Sequence, residues 1–271
     1  MLSFAAIMPH PPIIVPEVGG NEVKKTEKTI NALLKLGLVF REAMPEIVFL
    51  ISPHALILHD RIALGFGKKL KGNLAMFSAP GVELEFNNSK LFFEQIEKRA
   101  FEYRVPLEFY QSNQKEAEVE LDHGALVPLY YLTKAYTKFD LALSSFSDFS
   151  LAKHFEYGRA VGEVVKASSR RIGVVASGDL SHRLIPGAPA GYSPQGKRFD
   201  EKLIKLLEEK DTQGILNLDS NLVSEAGECG LRSIAILLGV LSHFNWEPEI
   251  LSYEGPWGVG YLVMKFLISN F

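Results

Sequence analysis

The hydrophobic positions of this chain fall into short unbroken runs separated by longer stretches with helical spacing. Leu2 to Met8 is an apolar run stopped by Pro9, His10, Pro11 and Pro12, which predicts a buried strand running into a loop. Residues 46–52 are apolar on both faces and end at Pro53, and residues 171–177 have the same character. Strands apolar on both faces are expected where helices cover the two sides of a sheet. Residues 60–66, 82–86, 139–144, 249–253 and 260–266 predict further strands. Helical spacing predicts helices over 21–41, 89–103, 124–136, 150–168, 196–209 and 233–244, with Ser150 a candidate N-cap. Residues 111–120 and 182–195 are polar or rich in Pro and Gly and predict loops. Strands alternate with helices, with no linker or repeat. The expected fold is therefore α/β, a single domain over residues 1–271 with a central mixed or mostly parallel sheet flanked by helices on both faces.

Composition narrows the function classes. At 271 residues, with 47% hydrophobic and 23% charged positions, the chain is ordinary globular material and not a disordered one. A net charge of −3 gives no basic footprint, so nucleic acid is not an expected partner. The one cysteine, Cys229, excludes a disulfide scaffold. No apolar run approaches the ~20 residues that span a bilayer, so no membrane partner is expected. The N-terminus has no basic segment and reads as a strand, not a signal peptide. A cytoplasmic protein is the expectation.

Four of the seven histidines fall at strand or loop boundaries beside turn-forming residues: His10, His54, His123 and His182. In open α/β sheets, ligands bind beyond the carboxyl ends of the strands, where such residues converge from distant parts of the chain. His59, His154 and His243 read instead as surface or internally satisfied histidines. Pro9, Pro11, Pro12 and Pro53 stiffen the backbone around His10 and His54, which favours a fixed ligand geometry. Two imidazoles and one carboxylate on a single face suit non-haem Fe(II) and leave positions open. The best source of the carboxylate is the segment Glu225-Ala-Gly-Glu228-Cys229-Gly230, which also reads as a plain helix N-terminus favoured by the macrodipole.

Taken in order, Met-Pro-His10-Pro-Pro, Ser-Pro-His54, Leu-Asp122-His123-Gly, Ser-Gly-Asp179-Leu-Ser-His182 and the Glu228-Cys229-Gly230 segment resemble the class III (LigB-type) extradiol ring-cleavage dioxygenases and their relatives, the Memo-like proteins. The resemblance covers residues 10 to about 240. It implies a single domain assembled as a dimer or larger homo-oligomer. It implies Fe(II), or alternatively zinc, on His10, His54 and Glu228. In Memo-like proteins a cysteine followed by glycine stands near the third-ligand position, which makes Cys229 the alternative donor to the favoured Glu228. His123 and His182 are similar to the family's acid–base histidines. His182 would take a proton from a small aromatic diol and face O2, and His123 would assist ring opening. Asp122 and Asp179 would orient imidazoles, or would simply stabilise turns. Arg183 and Tyr192, beside His182, are candidates for meeting an aromatic acid, with surface placement the other reading. Other functional readings are a Memo-like metal-binding or redox protein without ring cleavage, and a zinc hydrolase on the same histidines.

Overall fold

The computed structural model describes residues 1–111 and 118–269. Its strands are β1 (Leu2–Met8), β2 (Ile47–Ile51), β3 (Ile62–Gly65), β4 (Lys69–Leu74), β5 (Ala79–Asn87), β6 (Leu107–Tyr110), β7 (Glu118–Glu120), β8 (Asp140–Ser144), β9 (Ile172–Ser177), β10 (Asn245–Glu254) and β11 (Tyr261–Ser269). Its α-helices are α1 (Pro16–Gly19), α2 (Glu27–Ala43), α3 (Lys90–Glu102), α4 (His123–Thr133), α5 (Leu151–Ala167), α6 (Pro194–Glu208), α7 (Thr212–Leu216), α8 (Ser220–Ala226) and α9 (Leu231–Leu241).

Eight strands form one sheet in the order β10-β11-β1-β9-β2-β8-β3-β6. The four central strands β1, β9, β2 and β8 run parallel, while β3, β10 and β11 introduce antiparallel pairs, so the sheet is mixed. Period-two alternation divides each central strand between two cores. In β2, Ile47, Phe49 and Ile51 face the layer of α3, α5, α6 and α9, and Val48 and Leu50 face that of α2 and α4. In β9, Ile172, Val174 and Ala176 take the first side and Val175 the second. Each fully buried Leu, Ile or Phe contributes about 1.5–3 kcal/mol relative to exposure, so both covering layers are needed to hold these strands.

Several elements depart from the sequence expectation. The helix expected over 21–41 opens as a 3-10 segment, Gly20–Thr26, before α2 begins. On α2, Leu34 and Leu38 are 43% and 48% exposed although they fit its apolar period. The loop expected over 111–120 ends in β7, and residues 112–117 lie outside the described part. β4, β5 and β7 form a separate three-stranded sheet that delivers the chain to His123. Ser150 does cap α5, accepting the Lys153 amide at 3.2 Å. Among the described residues no helix is long and apolar enough to cross a membrane.

Candidate metal centre

The site lies at the carboxyl ends of three adjacent parallel strands. β1 ends into His10, β2 into His54, and β9 into Gly178 and Asp179. Because β9 lies between β1 and β2, the three ends are side by side. His10 is only 2% exposed. Its amide donates to Asp179 Oδ1 at 3.0 Å, and its Nδ1 lies 2.9 Å from Ser177 Oγ. The Ser177 hydroxyl donates its own hydrogen to the Gly124 carbonyl. The ring must therefore be the donor to Ser177, which leaves a lone pair on His10 Nε2.

That lone pair meets two other donor atoms. His54 Nε2 is 3.1 Å away and Cys229 Sγ is 3.6 Å away. The three atoms lie within 4.8 Å of one another. A tetrahedral ion with ligands at about 2.0–2.3 Å holds its donors about 3.3–3.6 Å apart, so the set fits a metal ion. A proton or a cation between the two facing imidazole nitrogens is what such a contact requires.

Cys229 reaches this point because β9 and the chain before α9 touch closely. A Cβ on Gly178 would overlap Gly230 Cα, so only glycine lets the two backbones meet. The amides of Cys229 and Gly230 then donate to the Asp179 carbonyl at 3.4 and 3.0 Å, and the Asp179 amide donates to Cys229 Sγ at 3.3 Å. Glu228, the donor favoured from sequence, turns away. Its Oε2 accepts the Leu231 amide at 2.6 Å, where it caps α9 and meets the helix dipole. Consecutive residues project differently, and here the thiol faces the imidazoles. Glu225 is engaged elsewhere, accepting from Ser193 Oγ at 3.1 Å and lying 3.9 Å from Arg183.

The other two strand-end histidines complete a cluster. His123 begins α4, and its ring lies 4.1 Å from that of His54 and 5.6 Å from that of His10, centre to centre. His182 Nε2 is 3.6 Å from Cys229 Sγ. Burial pulls all four imidazoles below their usual range, His10 furthest in and His123 to about 4, so they are neutral at pH 7. Burial pushes the Cys229 thiol well above its usual range, with the Asp179 carboxylate adding to the effect. Asp179 itself is pushed up to about 7 by burial, against the His10 amide that it accepts. Asp122 serves α4 as its N-cap, taking the Ala125 amide at 3.1 Å and the Ser52 hydroxyl at 2.6 Å. Gly124 permits this, since a Cβ there would stand 2.5 Å from Ser52 Oγ and 3.2 Å from His54 Cδ2.

Beside His54 and His123 opens a cavity of about 750 Å³, walled by Leu56, Leu74, Met76, Phe77 and Tyr110. Phe77 meets the His123 ring edge-on at 5.4 Å. Sequence reasoning missed Phe77, Ser52 and Ser177. Ser52 and Ser177 had a signal, each as the polar end of an apolar run, and Phe77 had none. Arg183 pairs with Glu225 and Tyr192 is exposed. Among the remaining histidines, His154 is satisfied by the Ser147 amide and the Ser150 carbonyl, His243 bonds the Arg159 carbonyl, and His59 pairs with Asp148 at the surface.

The chain is similar to several known proteins. The family described as the catalytic LigB subunit of aromatic ring-opening dioxygenase matches residues 4–264. Protein CA_C1420 of Clostridium acetobutylicum is 36% identical over 262 residues, covering 96% of this chain and 56% of that protein. The 3,4-dihydroxyphenylacetate 2,3-dioxygenase of Escherichia coli is 28% identical over 145 residues, covering 49% of this chain and 51% of the enzyme. The chain thus spans about half the length of the curated relatives it matches. The crystal structure of the uncharacterized protein JW3007 from Escherichia coli K12 superposes with a TM-score of 0.65 at 16% identity, covering 97% of this chain and 98% of the other, and so shares its fold.

Proposed function

Since the chain belongs to the LigB family of aromatic ring-opening dioxygenase catalytic subunits, we propose that it is a metal-dependent oxidoreductase holding its ion on His10 Nε2, His54 Nε2 and Cys229 Sγ. The observation that carries this reading is the meeting of the three donor atoms while Glu228 is occupied at α9. A thiolate with two imidazoles suits zinc or iron. It also matches the Memo-like arrangement, which favours metal-linked redox chemistry without ring cleavage.

When bound, the ion supplies Lewis acidity and a seat for oxygen or substrate. The chain's own residues manage the protons. Cys229 is a thiol in its buried setting and becomes a donor only as thiolate. His182, neutral and 3.6 Å from Sγ, receives that proton and passes it to the cleft. Ser177 fixes the His10 tautomer, and Asp179 pins the His10 backbone. His123 and the cavity walled by Phe77 and Tyr110 border the donor set.

A second reading, extradiol cleavage of a small aromatic diol with O2 on Fe(II), is favoured by that cavity and by the neutral His123 and His182. Here His182 takes a phenolic proton and His123 assists ring opening. A homo-oligomer in the cytoplasm fits both readings. Metal analysis of protein purified without oxygen, followed by oxygen uptake with a panel of catechols, tests the two. Stoichiometric metal without uptake supports the first reading, uptake with a ring-opened product supports the second, and protein that binds no metal overturns both.

A further inference from the structure

The segment carrying His182 is tied to a buried carboxylate outside the donor set. Asp200, in α6, is fully buried. Its Oδ1 accepts the Ser181 amide at 2.8 Å, and its Oδ2 accepts the Tyr253 hydroxyl, from β10, at 2.6 Å. Ser181 is held on its other polar atoms as well. Its hydroxyl donates to the Ala226 carbonyl at 2.9 Å and accepts the Arg183 amide at 3.0 Å, and its carbonyl accepts the Gly260 amide at 2.9 Å. The His182 amide donates to the Ala226 carbonyl at 3.1 Å. Among these anchors Asp200 is the one side chain that reaches the segment from another element.

Burying a carboxylate costs stability, and a well-packed apolar residue usually serves a core better. What the carboxylate provides is two fixed acceptors, one aimed at the His182 segment and one at β10. Burial raises its pKa to about 7, against both hydrogen bonds, which agrees with a group kept for direction and not for packing.

We propose that Asp200 is a positioning residue: through the chain Tyr253–Asp200–Ser181 it sets the height and direction of the His182 imidazole relative to Cys229 Sγ. The proposal builds on the reading of His182 as the proton-handling group, yet it can be decided without turnover.

Imidazole resonances of 15N-labelled protein, recorded metal-free and zinc-loaded, give the test. His182→Gln identifies the His182 signals by their loss. Asp200→Leu removes both acceptors, whereas Asp200→Asn keeps an oxygen for the Ser181 amide. In Asp200→Leu the His182 signals should shift and its titration should move toward that of an exposed histidine. The His10 and His54 signals and the zinc stoichiometry should stay as in the wild type, and Asp200→Asn should resemble the wild type. If a turnover is found, Asp200→Leu should lower kcat by ~10²-fold with KM held, as for a misplaced catalytic group. Should Asp200→Leu not fold, Asp200→Ser, too short to reach the Ser181 amide, carries the same comparison. Unchanged His182 signals on loss of the acceptors, or equal perturbation of His10 and His54, overturn the proposal. Absence of any turnover bears on the functional reading alone.

Discussion

Gly178 and Gly230 meet backbone to backbone at the end of β9, where a Cβ on Gly178 would overlap Gly230 Cα. This contact between distant parts of the chain places the Cys229 sulfur beside His10. Gly178→Ala should force the two segments apart, at about 1–3 kcal/mol, the usual cost of overpacking. Zinc affinity should fall with it. Thermal denaturation with and without zinc reads both effects, and full zinc stabilisation in the variant would separate the contact from the donor set.

The third donor can be assigned by metal content. Cys229→Ser should lose most bound metal, because a hydroxyl is a poor substitute for thiolate. Glu228→Gln should retain metal and lose a little stability, since the amide oxygen can still accept the Leu231 amide. Elemental analysis of both proteins decides the matter. Metal lost from Glu228→Gln and kept by Cys229→Ser would return the carboxylate to the site.

His182→Gln should keep its metal. Any turnover should drop by ~10²–10⁴, the range for an acid–base group. In the metal-free protein the same substitution should slow zinc uptake at neutral pH, because the Cys229 proton loses the neighbouring imidazole that is not itself a metal donor. Stopped-flow zinc binding measures this, and a wild-type rate would remove His182 from the proton path.

Asp200 gives a signed pH dependence. Burial raises its folded pKa to about 7 from the ordinary aspartate value of 3.8. Below pH 4 the group is neutral in both the folded and the unfolded chain and costs nothing. Between about 4 and 7 the unfolded chain ionises first, so wild-type stability should fall as pH rises, then level off. Asp200→Asn removes this contribution, so its stability relative to wild type should grow across that window. Urea denaturation from pH 4 to 8 checks it, and a constant difference between the two proteins would contradict the assignment.

The sequence made the central sheet legible because residues 46–52 and 171–177 are apolar on both faces, which only a doubly covered strand tolerates. The gathering of His10, His54, His123 and His182 was legible from strand-end position and flanking turn residues. The choice between Glu228 and Cys229 was not. It depends on Gly227 in a left-handed turn and on the Gly178–Gly230 contact, and one residue of rotation exchanges the two side chains. β4 was overlooked because Lys69, Lys71, Gly72 and Asn73 are poor strand formers, held in register by β5 and β7. α7 and α8 are too short for a periodic signal, although Asp211 and Asp219 cap them. Asp200 sits in an amphipathic helix where an acidic residue looks like a solvated one, and only the tertiary fold reveals its burial.

The position of β1 between β9 and β11 has a consequence for the order of events as the ribosome delivers the chain. β1 is made before both of its neighbours and must wait unpaired until they emerge, the arrangement that slows folding and leaves an apolar strand open to wrong partners. His10 and His54 share that wait, since Cys229 is translated last of the three. Until Cys229 is made the donor set has only its two imidazoles, on a mobile backbone, and full-strength metal capture comes after translation of this region.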